Sequence, residues 1–258
     1  GITSSSQIFH YPEYVTCFDA NAITFDFSCL KTVDYIIHLA GLASPAQYKR
    51  FPLETIDVAV SLTRTLLEHS LKWKSRFIFF SSSEIYGNPD SLNIPTSEDY
   101  KGFVASRGPR ACYDESKRLG ETLCYVYHQY YNVETAIIRP FNIYGPGMHK
   151  LDYRMIPNLM RSAKERKPIK LYGTGHQTRT FCFLDDAIDG IIRVILLAKP
   201  GDVFNIGNPT PEISMQDLVI LFNEVTGVNI EYQLVPYPSH YPEDEPLRRC
   251  PDITNAMK

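Results

Sequence analysis

The chain has 258 residues, 44% of them hydrophobic and 21% charged, with a formal net charge of −3. That composition fits one large folded domain or two small ones and excludes a disordered or low-complexity chain. Its basic residues are scattered rather than striped, which excludes a nucleic-acid surface, and no apolar run reaches the ~18 residues that would suggest a membrane span.

The opening residues GITSSSQIFHYPEY hold neither a basic region nor an apolar core of a secretory leader. The apolar run at residues 35–40 (YIIHLA) reads as a buried strand, and residues 52–71 as a helix, with Leu53, Ile56, Val60, Leu62, Leu66 and Leu67 at helical spacing. RFIFF (76–80) is a second buried strand, followed by a polar loop to about residue 110 and a helix over about 113–130. ETAIIRP (134–140) is a strand closed by Pro140; IKLYG (169–173) and TRTFCFL (178–184) are strand-like. Residues 185–198 read as a helix with Asp185 or Asp186 near its cap, VFNIG (203–207) as a strand, and 214–226 as a helix capped by Ser214 and stopped by Gly227. Apolar strands alternating with helices predict an α/β fold, a doubly wound parallel sheet covered on both faces that binds ligands at the carboxyl ends of its strands. After residue 145 the elements shorten, which suggests a smaller capping region closing over a substrate.

Cys17, Cys29, Cys112, Cys124, Cys182 and Cys250 show no C-x-x-C pair and read as free thiols of a reducing, cytoplasmic setting. The seven histidines show no H-x-x-x-H spacing, so no metal site is expected.

Three segments carry the chemistry. Ser81-Ser82-Ser83-Glu84-Ile85-Tyr86-Gly87 follows the strand RFIFF; Tyr113-Asp114-Glu115-Ser116-Lys117 opens the next helix; Phe141-Asn142-Ile143-Tyr144-Gly145-Pro146 follows the strand ETAIIRP. Tyr113 and Lys117 stand at i and i+4 on one helix face. A fixed ammonium there favours the phenolate of a group that ordinarily titrates near ~10, so Tyr113 can take a proton from a hydroxyl while hydride leaves the same carbon. Ser82 can bridge to the same oxygen. A lone Y-x-x-x-K is a weak signal; the order strand, S-S-S-E-I-Y-G, helix with Y-D-E-S-K, strand, R-P-F-N-I-Y-G-P is not.

That order resembles the extended short-chain dehydrogenases that act on nucleotide sugars as epimerases, dehydratases and decarboxylases. The resemblance runs from about Tyr14 to Ala256 and includes HLAGLASP (38–45), YGTGHQTRTFCFLDDAIDGI (172–191), VFNIGNP (203–209) and EPLRRCPDITNA (245–256). It implies a Rossmann-type fold, NAD as cofactor, and transient oxidation at sugar C4 followed by return of the hydride. It divides the chain into an incomplete dinucleotide-binding domain (1–143 and 180–208) and a nucleotide-sugar domain (144–179 and 209–258). GPRACYDESKRLGET (108–122) is most similar to the segment around the catalytic tyrosine of UDP-glucuronate decarboxylases, and Ser82-Ser83-Glu84 resembles their T-S-E, where sugar 4,6-dehydratases carry T-D-E. Decarboxylation of UDP-glucuronate to UDP-xylose is therefore the first expectation; a nucleotide-sugar 4-epimerase or 4,6-dehydratase is the alternative, and a catalytically silent binding or scaffold protein the alternative of another class.

Carried over by motif, the catalytic residues are Ser82, Glu84, Tyr113 and Lys117. The cofactor side comprises Asp19, Leu39, Ala40, Gly41, Ser81, Tyr113, Lys117 and Pro140, with Asp19 on the adenine. Ser83, Asn142, Tyr172, Arg179 and Arg249 face the nucleotide sugar, the arginines on its phosphates, which suit their planar fork. The resemblance also implies a homodimer paired through residues 52–71 and 113–130. Two features depart from it. Residues 2–40 contain no glycine, so the G-x-x-G-x-x-G turn that would hold the pyrophosphate, with its whole first β-α-β unit, is missing, and the sequence reads as part of a longer protein. The family's N-x-x-G-T appears as Ala59-Val60-Ser61-Leu62-Thr63, without the asparagine that orders water near the lysine.

Overall fold

The computed structural model describes residues 2–3, 12–149, 152–237 and 245–258. In chain order, β1 (Ile2–Thr3), β2 (Phe18–Asp19) and β3 (Tyr35–His38) lead into α1 (Pro45–Arg50), α2 (Pro52–Ile56), a π-helical turn (Asp57–Ser61) and α3 (Leu62–Trp73). There follow β4 (Arg76–Phe80), α4 (Ala111–Tyr131), β5 (Thr135–Pro140), β6 (Ile143–Tyr144), α5 (Met155–Glu165), β7 (Ile169–Tyr172), β8 (Thr178–Arg179) and β9 (Cys182–Phe183). The remainder is α6 (Leu184–Leu197), β10 (Val203–Ile206), β11 (Ile213–Ser214), α7 (Met215–Thr226), β12 (Tyr232–Val235) and β13 (Arg248–Arg249).

The main sheet has the order β10-β5-β4-β3 with every pair parallel, as the alternation of strands and helices predicts. Strand β4 shows why RFIFF is apolar throughout. Successive side chains point to opposite faces: Phe77 and Phe79 meet Leu66 and Leu67 of α3 and Cys124 of α4, while Ile78 and Phe80 meet Ala187 and Val194 of α6. Both faces are covered, so no polar residue alternates.

The edge strand β3 differs from expectation. Ile36 and His38 are buried, but Tyr35 and Ile37 are 44% and 42% exposed. Helix α3 covers one face of β3, whereas α6 lies over β5 and β10 and does not reach the other.

The expected single helix over 52–71 is α2, a π turn and α3, preceded by the six-residue α1, which starts at Pro45 and is too short to show a periodicity. TRTFCFL is not one strand. Thr178–Arg179 pairs with β11 and β13, and Cys182–Phe183 pairs with β6, so the chain changes sheets at Thr180 and Phe181. Helix α6 is capped at Phe183, with Asp185 and Asp186 in its first turn, where the helix dipole favours acids. Ser214 caps α7 as expected, its Oγ accepting from the Asp217 N–H at 3.0 Å, and Gly227 ends that helix with φ of 69°.

A second sheet, β12-β7, packs on α5 and α7 around Leu159, Ile169, Leu171, Met215 and Val219. This core is separate from the two that flank the main sheet. None of the six cysteines is in a disulfide.

Candidate active site at the carboxyl ends of the strands

The ends of β4 and β5 and the start of α4 converge on one side of the sheet. Ser81 continues β4, its N–H donating to the Ile138 carbonyl at 2.8 Å. Ser82 caps a 3-10 turn (Ser83–Tyr86), its Oγ accepting from the Glu84 N–H at 3.2 Å. Ser81, Ser82 and Ser83 are all buried.

Helix α4 reaches this turn because Gly120 lets it approach closely: a Cβ there would stand 2.4 Å from Phe79 Cζ and 3.1 Å from the Ala59 carbonyl oxygen. One turn earlier, Lys117 is buried and its Nζ donates to the Phe80 carbonyl at 2.7 Å. One turn earlier still, Tyr113 is buried with its phenol beside Ser82.

The electrostatics differ from the sequence argument in one respect. Burial is the dominant effect on Tyr113 and raises its phenol above the ordinary value; Ser82 opposes this, as do Arg249 and Arg110. The cations that favour its phenolate are thus two arginines from outside the Y-x-x-x-K motif. Lys117 is itself perturbed, held down to about 8 chiefly because burial disfavours the ammonium.

The sign of that shift gives a stability prediction. A lysine whose folded pKa lies below its free value of 10.5 costs the fold most below pH ~8, and the cost fades as pH rises from about 8 towards 10.5. The full shift corresponds to about 3 kcal/mol, from which the lost bond to Phe80 must be subtracted. Lys117→Met is therefore expected to melt higher than wild type at pH 7, the gap closing by pH 10. A Tm difference independent of pH would contradict this account.

Around Tyr113 lies a nest of buried charge. Glu84 pairs with Arg249, whose Nη2 stands 2.8 Å from Oε2, and with Arg110. Arg110 also donates to Asp114 at 3.3 Å and to Glu245 at 2.8 Å. Glu245 accepts from Arg179 at 2.7 Å, and three arginines hold its carboxyl below the ordinary range against the opposing effect of burial. Arg249 is lowered to about 10 by burial, with Glu245 opposing. Three guanidiniums matched by three carboxylates make a largely buried polar site of balanced formal charge, suited to an anionic ligand that exchanges for an internal carboxylate.

These groups border a cavity of about 790 Å³ that opens between the main sheet and the β7–β12 layer, within the usual range for small-molecule sites. Of the residues expected at the site, Glu84, Tyr113, Asn142, Tyr172, Arg179 and Arg249 line it. Ser81, Ser82, Ser83 and Lys117 are buried and are not among its lining residues. Asn142 has a left-handed φ of 42° and donates its Nδ2 to the Thr180 carbonyl at 2.9 Å, which ties the end of β5 to the link between β8 and β9. Tyr172 stacks on Tyr237 at 5.8 Å.

Leu39, Ala40 and Gly41 run exposed off the end of β3, and a Cβ on Gly41 would lie 3.5 Å from Lys117 Nζ. The Ser81 hydroxyl is buried without a hydrogen-bond partner among the described residues. An open backbone ledge beside a buried ammonium and an unsatisfied hydroxyl fits the ring end of a nicotinamide dinucleotide. Pro140 ends β5 and is partly exposed. Asp19 stands exposed at the end of β2, in a two-stranded sheet with β1, and does not line the cavity. Ala59, in place of the expected asparagine, is buried in the π turn, its carbonyl accepting from Thr63 Oγ1 at 2.8 Å.

Sequence reasoning did not single out Arg110, Glu245 or Tyr48, all of which line the cavity. Arg110 and Glu245 sit inside the quoted segments GPRACYDESKRLGET and EPLRRCPDITNA. A signal was available for Arg110, since it stands four residues before Asp114, within reach of an acid on the same face.

Comparison with known proteins agrees with the α/β fold. Residues 13–207 match the NAD dependent epimerase/dehydratase family. The chain is 41% identical over 229 residues to UDP-glucuronic acid decarboxylase 4 of Arabidopsis thaliana, covering 89% of this chain and 50% of that protein. It is 36% identical to UDP-glucuronic acid decarboxylase 1 of Xenopus tropicalis, covering 87% and 51%. It thus spans about half the length of these relatives. Among solved structures, UDP-glucuronic acid 4-epimerase from Bacillus cereus, in complex with UDP-glucuronic acid and NAD, superimposes with a TM-score of 0.81 at 27% identity, covering 93% of this chain and 73% of that one. UDP-glucose 4-epimerase from Thermotoga maritima shares the fold with a TM-score of 0.86 at 21% identity, covering 99% and 82%. With all four strands of the main sheet and the Y-x-x-x-K helix inside the matched span, the chain belongs to the NAD dependent epimerase/dehydratase family.

Proposed function

We propose that the protein decarboxylates UDP-glucuronate to UDP-xylose, using NAD. The observation that carries this reading is Ser83. It occupies the middle of Ser82-Ser83-Glu84, buried at the end of β4, where a dehydratase needs an acid to protonate a departing hydroxyl. A decarboxylase needs none, because a 4-keto-uronate is a β-keto acid and loses CO₂ once it forms. Identity of 41% to a decarboxylase supports the same choice.

In this reading Tyr113 takes the proton of the C4 hydroxyl, and Ser82, beside the phenol, holds the reacting oxygen. Lys117 keeps a positive charge behind the phenol, and Glu84 handles the sugar or a water at the decarboxylating carbon. Arg179, Arg249 and Asn142 face the diphosphate and uridine, with Tyr172 beside them. The ledge of Leu39, Ala40 and Gly41, with Ser81, Lys117 and Pro140, would hold the nicotinamide end of NAD, and Asp19 its adenine end. When bound, NAD supplies the acceptor and later the donor of the C4 hydride. Residues 144–179 and 209–258 act as the substrate cap over the dinucleotide-binding part. A homodimer would pair through α2, α3 and α4, which expose Leu53, Ile56, Leu119 and Tyr125. No helix among the described residues is long and apolar enough to cross a membrane.

The test is incubation of the full-length protein with NAD⁺ and UDP-glucuronate, followed by mass spectrometry. Loss of CO₂ without net NADH is expected. An isobaric product would replace decarboxylation by 4-epimerisation, and an unchanged substrate together with no binding would remove the decarboxylase reading.

A further inference from the structure

Tyr48 is the large buried side chain beside Tyr113 to which the proposed chemistry gives no part. It sits on α1, which starts at Pro45 just past the ledge of residues 39–41. Its ring is 2% exposed and stacks on Tyr113 with centroids 5.3 Å apart and planes 17° apart, an offset parallel arrangement. Its backbone is tied to the same place: Cys112, immediately before Tyr113, directs its Sγ–H to the Tyr48 carbonyl at 3.7 Å. Both the ring and the main chain of Tyr48 are therefore registered on the first turn of α4.

A tyrosine side chain on a helix retains rotation about two bonds. Ser82 lies beside the phenol tip of Tyr113, and a neighbour at the tip leaves the ring free to turn about its long axis. A flat partner along one ring face removes that freedom. We propose that Tyr48 is a positioning residue for Tyr113: by stacking on its ring it fixes the plane of the phenol, and with it the direction in which the phenol oxygen meets a bound sugar hydroxyl. Tyr48 does this through its ring face rather than its hydroxyl. The proposal rests on the reading of Tyr113 as the base.

Turning about the long axis leaves the phenol oxygen in place but swings its O–H and lone pairs out of line with the sugar hydroxyl, and misalignment of a catalytic group costs on the order of 10- to 100-fold in rate. In the full-length protein with NAD⁺ and UDP-glucuronate, Tyr48→Phe keeps the stack and is expected to hold kcat within about twofold of wild type. Tyr48→Leu removes the flat face, so kcat should fall about 10- to 100-fold while KM for UDP-glucuronate stays within about threefold. A Phe variant as slow as the Leu variant would assign the effect to the hydroxyl and overturn the proposal; so would a Leu variant with wild-type kcat, or one whose loss lies in KM. A measurement on the unmutated protein covers the case in which the Leu variant does not fold. With ring-¹³C-labelled tyrosine, assigned through Tyr113→Phe, the ortho C–H dipolar couplings of Tyr113 should be averaged by no more than 180° jumps about one fixed plane. Averaging beyond that two-site limit would show a ring that samples several planes and end the proposal. This readout needs no turnover, so it stands or falls apart from the decarboxylase reading, which the Tyr113→Phe rate tests.

Discussion

Tyr113→Phe should reduce kcat by about 10²–10⁴-fold while leaving the melting temperature within a few degrees of wild type. The substitution removes one oxygen and keeps the ring that stacks on Tyr48 at 5.3 Å. Nothing in the packing needs that oxygen: the backbone N–H of Tyr113 is held by the Arg110 carbonyl at 2.9 Å, and Ser82 keeps its cap on the Glu84 N–H. Burial raises the phenol, so the unliganded site stores the proton-free form poorly. Arg249 and Arg110 lower it again, which gives the base a strength tied to the state of the arginine nest. UDP-glucuronate affinity, read by calorimetry with the Phe variant, should change by less than about tenfold, since the arginines remain. A variant that turns over at near the wild-type rate would remove Tyr113 from the chemistry, whatever the fold.

The features legible in the sequence are those written locally along the chain. The apolar strands β4 and β5, the cap at Ser214, the stop at Gly227 and the i, i+4 spacing of Tyr113 and Lys117 each depend on residues within one element, and the structure carries all of them. The α/β class followed from the same local signals. The nest of Arg110, Arg179, Arg249, Glu84 and Glu245 was not legible as a network, because its pairs join residues 66, 135 and 165 positions apart. A sequence shows each guanidinium but not which carboxylate meets it. Tyr48 was missed for another reason: α1 has six residues, less than two turns, so no periodicity marks its buried face. TRTFCFL misled because β-forming residues continue across the point where the chain leaves one sheet for the next. The half-exposed β3 misled because an apolar run says that a strand can be covered, and only tertiary packing decides on which side.

Glu121→Ala is expected to destabilise the protein by about 3–5 kcal/mol, a fall in Tm of roughly 10 °C for a chain of this size. Glu121 lies one turn beyond Lys117 on α4 and meets Arg139 of β5 through two parallel bonds, Nε to Oε1 at 2.9 Å and Nη2 to Oε2 at 2.7 Å. Both side chains are almost fully buried, at 13% and 9% exposure. The guanidinium has further duties: its Nη1 donates to the Tyr86 hydroxyl at 2.7 Å and to the Glu98 carbonyl at 2.8 Å, and Tyr86 in turn donates to Asn205 of β10 at 2.7 Å. Losing the carboxylate leaves a buried cation with neutral partners only, and that uncompensated charge is the main source of the cost. Removing both charges, as in Glu121→Leu with Arg139→Met, should recover a substantial part of the loss, because the desolvation of the guanidinium disappears along with its partner. The double variant would still leave Tyr86 and the Glu98 carbonyl short of a donor, so full recovery is not expected. Urea denaturation of the three proteins measures this directly. A single variant within about 1 kcal/mol of wild type, or a double variant no better than the single, would show that the pair is not what ties α4 to the sheet. The consequence for the site follows from geometry. Lys117 and Glu121 share a helix face, so a shift of α4 that relieves Arg139 also moves the ammonium away from the Phe80 carbonyl, and the Ala variant should lose turnover at temperatures well below its melting transition.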